Sequence, residues 1–458
     1  MSTFKVQDPT TGEVLETFDT ATDAEVTAAI DAAHAAYAEW GSRPITERAE
    51  VASKVAQLFD AKKDELAVIA GQEMGKPYSE AVEEAEFAGA IIGYYADHGA
   101  EFAADQEIPT DSDGTAIIRR RPIGVLLGIM PWNFPYYQIA RFAGPNLVLG
   151  NTILLKDANL CPRSALAVQQ IMDEAGVPRG VYTNLFADHD QVARIIADPR
   201  VQGVSLTGSE RAGAIVAEQA GRNLKKAVLE LGGSDPYIIL DSDDVKKAAD
   251  TAWATRMYNT GQACNSNKRI IVMEDIYDEF VDRLVELAKA MKPGTPKEAS
   301  ADDVYSALSS REAAEHLYEQ IQTAVKEGAT LRVGGELSDT GAYISPAVLT
   351  DIAPGTKAYS EELFGPVAAV YKVASDEEAL ELANSSDFGL GGAVFSTNVE
   401  RAKKIASRLE VGMANVNTPA GEGAELPFGG VKRSGYGREL GPLGMDEFVN
   451  KQLYYVSR

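Results

Sequence analysis

The sequence has few cysteines, few histidines and no long apolar run. Cys161 and Cys264 are its two cysteines in 458 residues, which excludes a disulfide scaffold and a cysteine-rich metal site. We therefore expect no bound metal. No run of about 18 apolar residues could span a bilayer, and the polar start, MSTFKVQDPTTGEVLE, lacks the apolar core of a secretory signal. We expect a cytoplasmic protein with no membrane partner.

Positive charge is also scarce. The chain has 43 Lys and Arg against 68 Asp and Glu, which gives a formal net charge of −25. Because phosphate contacts need clustered basic residues, we do not expect nucleic acid as a partner. The acidic excess is spread along the chain. It is consistent with a soluble, self-repelling surface or with adaptation to a salty cytoplasm, where screening weakens that repulsion.

The spacing of apolar residues predicts an α/β fold. Residues 24–40 and 46–73 show helical periodicity, and Gly75 and Pro77 close the second stretch. Beyond residue 123, short apolar runs alternate with helical segments, which predicts parallel sheets with helices on both faces. The strand candidates are VLLGIM, TILLK, VYTNLF, VQGVSLTG, AVLELGG and YIIL, followed by residues 269–273, 367–371 and 393–395.

Two further segments predict strands outside those sheets. Residues 115–121 are rich in β-branched and long side chains and follow the turn signal Asp113-Gly114, which indicates a β-hairpin or arm. The tail, residues 447–458, contains LYYV and reads as another strand. Since it is terminal and apolar, we expect it to pair with another element, such as a second subunit.

Cys264 is a candidate nucleophile. It ends the segment GQAC (261–264), and a Gly-Gln pair before a cysteine indicates an exposed turn at the edge of a helix or strand. A thiolate is a strong nucleophile but needs a lowered pKa to form at neutral pH. The alternative is a buried, inert thiol, which suits Cys161 with its following Pro162 better.

Two polar residues at predicted strand ends could complete a catalytic site. Glu230 ends an apolar strand, and ligands bind at strand ends of parallel sheets. Burial would raise the pKa of its carboxyl and suit it to general-base work. Asn133, in PWNFP (131–135), could donate its amide N–H to a developing oxyanion. Each could instead be an ordinary strand-end or turn residue.

The segment from Thr207 to Gly213 follows a strand and opens a helix. A glycine turn at a helix N-terminus, here Gly208-Ser209, presents backbone N–H groups to a pyrophosphate. The segment lacks the three-glycine dinucleotide fingerprint, so on its own it does not identify a nucleotide site.

Together these segments resemble the aldehyde dehydrogenase superfamily in order and in spacing. The interval of 34 residues between Glu230 and Cys264 also matches the family. The resemblance covers nearly the whole chain. The matching segments are PWNFP (131–135), Lys156, TGS (207–209), ELGG (230–233), GQAC (261–264), EELFGP (361–366) and PFGGVKRSGYGRE (427–439).

The resemblance implies an α/β, aldehyde dehydrogenase-like fold with two parallel-sheet domains. A Rossmann-like NAD(P)-binding domain would take residues 1–105 and 123–231, and a catalytic domain residues 232–440. A β-arm for oligomerisation would take residues 106–122 and 441–458. The family forms dimers or tetramers through such an arm, so the resemblance implies a homodimer or homotetramer.

The resemblance also implies the chemistry. Cys264 would attack the aldehyde carbonyl, and Asn133 with the Cys264 backbone N–H would stabilise the tetrahedral oxyanion. Hydride transfer to the nicotinamide would leave a thioester on Cys264. Glu230 would then activate water to release the acid.

The implied coenzyme is NADP or NAD. Ser209 would contact the pyrophosphate and Lys156 the adenosine ribose, while Glu362 would hold the nicotinamide ribose and Phe364 pack near the ring. NAD-preferring relatives often carry Glu where Asn159 stands, and that carboxylate would repel a 2′-phosphate. Asn159 beside Lys156 therefore favours NADP, with NAD still open. The other residues predicted for this site are Trp132, Thr207, Gly208 and Gly213.

Arg141 points to the class of aldehyde. It follows Asn133 by eight residues on a helix expected to line the substrate tunnel. In this it resembles succinate-semialdehyde dehydrogenases, where a guanidinium matches a distal carboxylate; an ion pair within the protein is the alternative. Many such enzymes carry a second arginine where Tyr258 stands, and Arg256 could replace it. Phe428 completes the predicted substrate residues.

We therefore expect oxidation of succinate semialdehyde to succinate, with glutarate semialdehyde or a neutral aliphatic aldehyde as alternatives. Two other functions compete. A thiol hydrolase using Cys264 and Glu230 would leave Glu362 and the TGS turn without a role. A catalytically silent member of the family is disfavoured because Cys264, Glu230 and Asn133 are all present.

Overall fold

The computed structural model describes residues 4–111, 113–421 and 423–457. The elements of its first half are β1 (Phe4–Gln7), β2 (Val14–Phe18), α1 (Asp23–Trp40), α2 (Ile45–Ala61), α3 (Lys63–Met74), α4 (Tyr78–Phe102), β3 (Gln106–Ile108), β4 (Gly114–Pro122), β5 (Val125–Ile129), α5 (Pro135–Leu149), β6 (Thr152–Lys156), α6 (Pro162–Glu174), β7 (Tyr182–Asn184), α7 (His189–Ala197), β8 (Val201–Thr207), α8 (Glu210–Arg222) and β9 (Lys226–Glu230).

The second half begins a new alternation of strands and helices. Its elements are β10 (Pro236–Ile239), α9 (Val245–Met257), a 3-10 turn (Tyr258–Gly261), β11 (Arg269–Met273), α10 (Glu274–Ala290), β12 (Lys292–Pro293), a second 3-10 turn (Glu298–Ser300), β13 (Val304–Tyr305), α11 (Arg311–Lys326), β14 (Thr330–Val333), β15 (Ala347–Thr350), α12 (Lys357–Ser360), β16 (Val367–Val373), α13 (Asp376–Asn384), β17 (Phe388–Gly389), β18 (Gly391–Phe395), α14 (Val399–Ala406), β19 (Met413–Val416), β20 (Val431–Lys432), β21 (Gly435–Tyr436), α15 (Gly441–Met445) and β22 (Val449–Ser457).

The first large sheet has six strands in the order β21-β9-β8-β5-β6-β7, all parallel except β21. Thr207 pairs with Glu230 and Ile129 with Lys156 in its register, and all four end their strands. Four motif-bearing strands therefore finish at one carboxyl edge, the edge where parallel sheets bind ligands.

The second large sheet has seven strands in the order β14-β15-β16-β11-β10-β18-β19, and only the β14–β15 pair is antiparallel. Its central strands are buried along nearly their whole length, as expected when helices cover both faces of a parallel sheet. The predicted α/β fold with two parallel sheets is confirmed.

The first hundred residues are helical, as predicted, with one difference. Thr22 and Glu25 form a capping box that starts α1. The expected single helix over 46–73 is wrong, because the chain leaves helical geometry at Lys62 and restarts as α3. Acidic side chains in the first turn of α3 favour a new helix start there.

The predicted arm is an antiparallel sheet of three strands in the order β22-β4-β3. The hairpin β3–β4 confirms the expectation for residues 115–121. The tail strand is confirmed over Val449–Ser457, and its partner is β4 of the same chain. Arg458, the last residue of the predicted tail, lies outside the described residues.

Across the described ranges, no helix has the length and apolar character needed to cross a bilayer. Nor do these residues contain a group of three or more His, Cys, Asp or Glu side chains arranged to hold a metal ion.

Candidate active site

A pocket of about 440 Å³ contains Cys264, which lies in the loop between the Tyr258–Gly261 turn and β11. No Lys, Arg or His stands among its described lining residues. Tyr258 and Phe428, both predicted from the sequence, line it. The other aromatic side chains of its wall are Phe87, Phe134, Tyr137 and Tyr237.

The loop that carries Cys264 is tied to the segment that carries Asn133. Asn259 and Thr260 have left-handed backbones, with φ of 51° and 52°. The Asn259 side chain donates to the Asn133 carbonyl at 2.9 Å, and Asn133 Nδ2 donates to the Gln262 carbonyl at 3.1 Å. Because an amide nitrogen carries two hydrogens, one remains to stabilise an oxyanion.

The thiol of Cys264 is half-buried, and its protonation differs from the expectation. Burial raises the pKa of Cys264 to about 11, although the charges of Arg141 and Lys268 oppose that shift. A nucleophilic thiol needs a lowered pKa, and desolvation of the thiolate is the reason the pKa of Cys264 is raised here. Burial also raises the pKa of Cys161, which is completely buried, so that thiol is inert.

Lys268 was missed by the sequence argument. Its ammonium group donates to the carbonyls of Ala263 at 2.6 Å and Cys264 at 2.7 Å, and forms an ion pair with Glu362 at 2.9 Å. Glu362 also accepts the Gly233 N–H at 3.2 Å. Lys268 therefore joins the nucleophile loop to the carboxylate predicted to hold the nicotinamide ribose. A lysine four residues after the cysteine was the available signal.

Gly232 and Gly233 leave room for the Glu362 carboxylate and the Cys264 loop to pack closely against the end of β9. A Cβ at Gly232 would collide with the Glu362 carboxylate, and one at Gly233 would collide with the Cys264 carbonyl oxygen. The Gly-Gly pair after Glu230 thus has a packing cause, because only hydrogen side chains fit between these two segments.

Glu230 ends β9 and is 2% exposed, and neither carboxyl oxygen has a hydrogen-bond partner among the described residues. Burial raises the pKa of Glu230 well above its usual value; Glu439 raises it further, and Arg141 opposes the shift. Its side chain is not part of the wall around Cys264. To act on a group bound to Cys264, the carboxyl must turn toward the pocket and lose its proton.

The carboxyl edge of the first sheet fits a dinucleotide. Ser209 caps α8, a helix of 13 residues, and accepts the Ala212 N–H. Thr207 Oγ1 is buried with no hydrogen-bond partner in the described part of the chain. Lys156 Nζ donates to Asn159 Oδ1 at 3.0 Å at the next strand end. A helix N-terminus, an unsatisfied hydroxyl and a lysine are donors suited to phosphate and ribose oxygens.

Four further residues were predicted for the coenzyme site: Trp132, Phe364, Gly208 and Gly213. The rings of Trp132 and Phe364 meet edge to face, with centroids 5.7 Å apart. Gly208 donates its N–H to the Glu230 carbonyl at 2.9 Å, which fixes the turn. Gly213 lies one turn into α8, and a Cβ there would collide with Leu231. Its N–H donates to the Ser209 carbonyl at 2.9 Å, so Gly213 permits close packing of the first turn of α8 against Leu231, and a coenzyme contact at this residue stays a prediction.

Arg141 lies directly behind the pocket wall and is not part of its lining. It is 1% exposed and its Nε stands 2.8 Å from Glu439, a residue the sequence argument did not weigh. Its guanidinium lies 4.6 Å from the Tyr137 ring centroid and 4.3 Å from that of Phe428, and donates to Gln138 Oε1. The structure thus gives Arg141 an internal ion pair as well as contact with three lining side chains.

The structure does not direct Arg256, predicted as a substrate residue, toward the pocket. The side chain is completely buried and all three guanidinium nitrogens donate to protein oxygens. Since these acceptors use its donors, none is directed to the pocket. The acceptors are the carbonyls of Val367, Gly261, Leu363 and Gly365 and the hydroxyl of Ser266.

These features define a class of protein. A cysteine lines a pocket, the loop that carries it is hydrogen-bonded to the Asn133 amide, and a strand edge that fits a dinucleotide adjoins that loop. This is the arrangement of a nucleotide-dependent oxidoreductase that acts through a covalent cysteine intermediate.

Comparison with known proteins gives the family. The aldehyde dehydrogenase family profile matches residues 1–453, and the chain belongs to the aldehyde dehydrogenase family. The predicted class of enzyme, an NAD(P)-dependent aldehyde dehydrogenase, is thereby confirmed.

Relatives and solved structures cover almost all of the chain. It is 51% identical over 98% of its length to a succinate-semialdehyde dehydrogenase [NADP(+)] of Deinococcus radiodurans, covering 94% of that protein. It is 39% identical over 98% of its length to a succinate semialdehyde dehydrogenase [NAD(P)+] of Escherichia coli, covering 97% of it. The succinic semialdehyde dehydrogenase of Streptococcus pyogenes, solved with NADP+, superposes with a TM-score of 0.96 at 43% identity, with 99% of this chain and 100% of that one covered.

Proposed function

We propose that this enzyme oxidises succinate semialdehyde to succinate and prefers NADP to NAD. The observation that carries the proposal is the pair Arg141–Gln138 at the wall of the Cys264 pocket. The names of the relatives from Deinococcus radiodurans and Streptococcus pyogenes support the same substrate and coenzyme. The next candidates are glutarate semialdehyde and a neutral aliphatic aldehyde.

Gln138 presents the donor that a substrate carboxylate would meet. Its Oε1 accepts from the Arg141 guanidinium, while its Nε2 is buried and has no partner among the described atoms. Gln138 lines the pocket. A cation bound to the amide oxygen polarises the amide N–H and strengthens its bond to an anion. Arg141 would thus act on the carboxylate through Gln138, in addition to its long-range charge.

In the first half-reaction the Cys264 thiol releases its proton to solvent, and Sγ then forms a bond to the aldehyde carbon. The negative charge moves to the former carbonyl oxygen, where the second Asn133 amide hydrogen and the Cys264 N–H stabilise it. A nicotinamide held at the carboxyl edge of the first sheet would supply the hydride acceptor. Loss of hydride from the substrate carbon leaves a thioester on Cys264.

The second half-reaction hydrolyses that thioester. Glu230 turns toward the pocket and takes a proton from water, whose oxygen bonds to the acyl carbon. The carbon–sulfur bond breaks, succinate leaves and Cys264 Sγ keeps the electron pair. Glu230 must be ionised to do this, and its raised pKa makes the step faster at higher pH.

The coenzyme preference rests on Lys156 and Asn159. Lys156 is nearly buried, and its neighbour at the strand end is the neutral amide of Asn159. An anionic side chain at this position would pair with Lys156 and repel a 2′-phosphate. We therefore expect Asn159→Glu to lower kcat/KM with NADP by roughly tenfold or more and to leave NAD almost unaffected. Asn159→Gln is the neutral control, and equal losses with both coenzymes would contradict this role.

Initial rates of reduced-coenzyme formation test the proposal as a whole. Succinate semialdehyde, glutarate semialdehyde and butyraldehyde are each assayed with NADP and with NAD. We expect the highest kcat/KM for succinate semialdehyde with NADP. A kcat/KM for butyraldehyde as high as for succinate semialdehyde would exclude carboxylate recognition, and thioester hydrolysis without aldehyde oxidation would favour a thiol hydrolase.

We also propose that the arm, residues 106–122 and 441–458, joins this chain to further copies as a homodimer or homotetramer. The strand β22 exposes Leu453, Tyr454, Tyr455 and Val456 by 40% or more. An exposed apolar strand favours association. Light scattering should give a dimer or tetramer for the native chain and a smaller species for Leu453→Lys. A monomeric native chain would contradict this. The division into domains 1–105 with 123–231 and 232–440 belongs to the same proposal.

A further inference from the structure

One turn of helix α4 contacts both segments that carry the proposed chemistry. Glu80 and Glu84 are four residues apart on α4, so their side chains lie on the same face. Glu84 faces the start of α5, just after Asn133, and Glu80 faces the turn before Cys264. Neither carboxylate is among the residues that the sequence argument selected.

Glu84 holds the beginning of α5. Its Oε1 accepts the N–H groups of Tyr136 at 2.8 Å and Tyr137 at 3.1 Å, while the N-cap residue Phe134 makes no side-chain cap. Its Oε2 forms a buried ion pair with Lys76, whose ammonium lies 3.6 Å from the Phe134 ring centroid. A carboxylate that accepts from free N–H groups at a helix start fixes the direction in which the chain enters the helix.

Glu80 holds the turn before the nucleophile. Its Oε2 accepts the backbone N–H of Asn259 at 2.6 Å. Asn259 has a left-handed backbone, which is costly for a residue other than glycine unless its surroundings hold it. From this position the Asn259 amide donates to the carbonyls of Asn133 and Gln262 at 2.9 and 3.2 Å. A path of two hydrogen bonds thus runs from Glu80 to Asn133.

We infer that Glu80 and Glu84 are positioning residues that fix the Asn133 amide relative to the Cys264 sulfur. Both act from one rigid helix, so the distance between the two segments is set by α4 and not by either loop. The inference rests on the proposed roles of Asn133 and Cys264. A misplacement of about 1 Å in a reacting geometry costs on the order of a hundredfold in rate.

Glu80 offers the cleaner test, because the buried partner Lys76 makes a change at Glu84 hard to interpret. Glu80→Leu removes the acceptor for the Asn259 N–H, whereas Glu80→Gln keeps an oxygen that can accept it. Glu86→Leu on the same helix is the control, since Glu86 is exposed and pairs with Lys63 on the surface. For each variant we measure kcat, KM, the Kd of NADP, Tm, and the rate at which iodoacetamide alkylates Cys264.

For Glu80→Leu we expect kcat to fall roughly 10- to 100-fold, with KM and the Kd of NADP almost unchanged. Alkylation of Cys264 should stay near the native rate, because displacement of iodide needs no oxyanion donor. Glu80→Gln should recover most of kcat, and Glu86→Leu should match the native enzyme. A role in folding alone would lower Tm without this split between turnover and alkylation.

Three results would overturn the inference. The first is a kcat for Glu80→Leu equal to that of Glu80→Gln. The second is a parallel loss of turnover and alkylation, which means a damaged site. The third is a Glu80→Leu chain that does not fold while Glu80→Gln does, which makes Glu80 a folding determinant. Cys264→Ala, assayed in parallel, separates the two claims: retained oxidation there would contradict the proposed function itself.

Discussion

The two buried arginines of the active-site region, Arg141 and Arg256, differ in what they bind. Arg256 donates only to carbonyl and hydroxyl oxygens of the protein and joins the turn before Cys264 to β16. Arg141 pairs with a carboxylate, Glu439, and contacts three side chains of the pocket wall. Both are at most 1% exposed, so burial alone does not separate them.

The two arginines differ in the groups that surround the positive charge of each guanidinium. Burial lowers the pKa of Arg256 to about 10, and its nearest acceptors are neutral. Burial by itself would lower the pKa of Arg141 too, but Glu439, Tyr137 and Glu230 raise it above its usual value. Both side chains are cations at neutral pH, and they differ in their partners: Arg141 contacts side chains of the pocket wall, whereas Arg256 fastens the turn before Cys264 to β16. A buried arginine can recognise a ligand only when the side chains that it contacts face that ligand.

The largest effect is expected for Arg256, on the stability of the fold. Arg256→Met would leave several buried carbonyls without a donor, and each orphaned acceptor costs about 1–3 kcal/mol. We expect a loss of roughly 3–5 kcal/mol in the free energy of unfolding, measured by urea denaturation. Arg256→Lys keeps the charge and should lose less. A variant that is fully stable but has lost only its preference for succinate semialdehyde would reverse the assignment of the two arginines.

The next effect is on substrate choice at Arg141. Arg141 acts on the substrate carboxylate through Gln138 and through its long-range charge, so Arg141→Ala should raise KM for succinate semialdehyde far more than KM for butyraldehyde. The loss should not exceed the roughly 2–5 kcal/mol that loss of a direct, desolvated charge partner costs. Comparing two substrates on one variant cancels any general damage from the unpaired Glu439. Equal changes for both aldehydes would show that Arg141 does not read a carboxylate.

A change at Gln138 should also distinguish succinate semialdehyde from butyraldehyde, with a smaller effect than a change at Arg141. Gln138→Leu removes the buried Nε2 donor but leaves Arg141 and Glu439 in place. A hydrogen bond to a charged group contributes about 1.5–3 kcal/mol, so kcat/KM for succinate semialdehyde should fall by more than about tenfold. The value for butyraldehyde should stay close to native. If succinate semialdehyde is unaffected, Arg141 acts without Gln138.

The smallest effect is a shift in pH dependence at Glu439. After burial, the negative charge of Glu439 is the largest cause that raises the pKa of Glu230. Glu439→Gln removes that charge and frees Arg141 to stabilise the Glu230 carboxylate, so the pKa of Glu230 should fall. The rising limb of the profile of kcat against pH should then move to lower pH. A move to higher pH would contradict the proposed role of Glu230 as the base.

The sequence predicted the framework well because its signals are local. Alternating apolar runs gave the two sheets, and the TGS turn opens α8 as expected. Motifs far apart in sequence meet because parallel strands share a carboxyl edge, which is where Lys156, Thr207 and Glu230 lie. The break at Lys62 was missed because neither glycine nor proline marks it.

The charged partners behind the site were not predictable in this way. Glu439 lies 298 residues after Arg141 in the sequence, yet the two side chains form an ion pair. Glu80 reaches Asn259 across 179 residues. No local pattern encodes such a contact, because it depends on how whole elements pack. For the same reason, the sequence could not show that the guanidinium donors of Arg256 bond to protein oxygens and are not free to bind a substrate.

The central claim is that Cys264 carries the acyl group of the substrate. The enzyme is mixed with NADP and succinate semialdehyde, quenched in acid during the first turnover, and digested for mass spectrometry. We expect a succinyl thioester on the peptide that contains Cys264, formed only when coenzyme is present, and an unmodified Cys161. Formation of NADPH with no acyl group on Cys264, or with the acyl group on Cys161, would contradict the account.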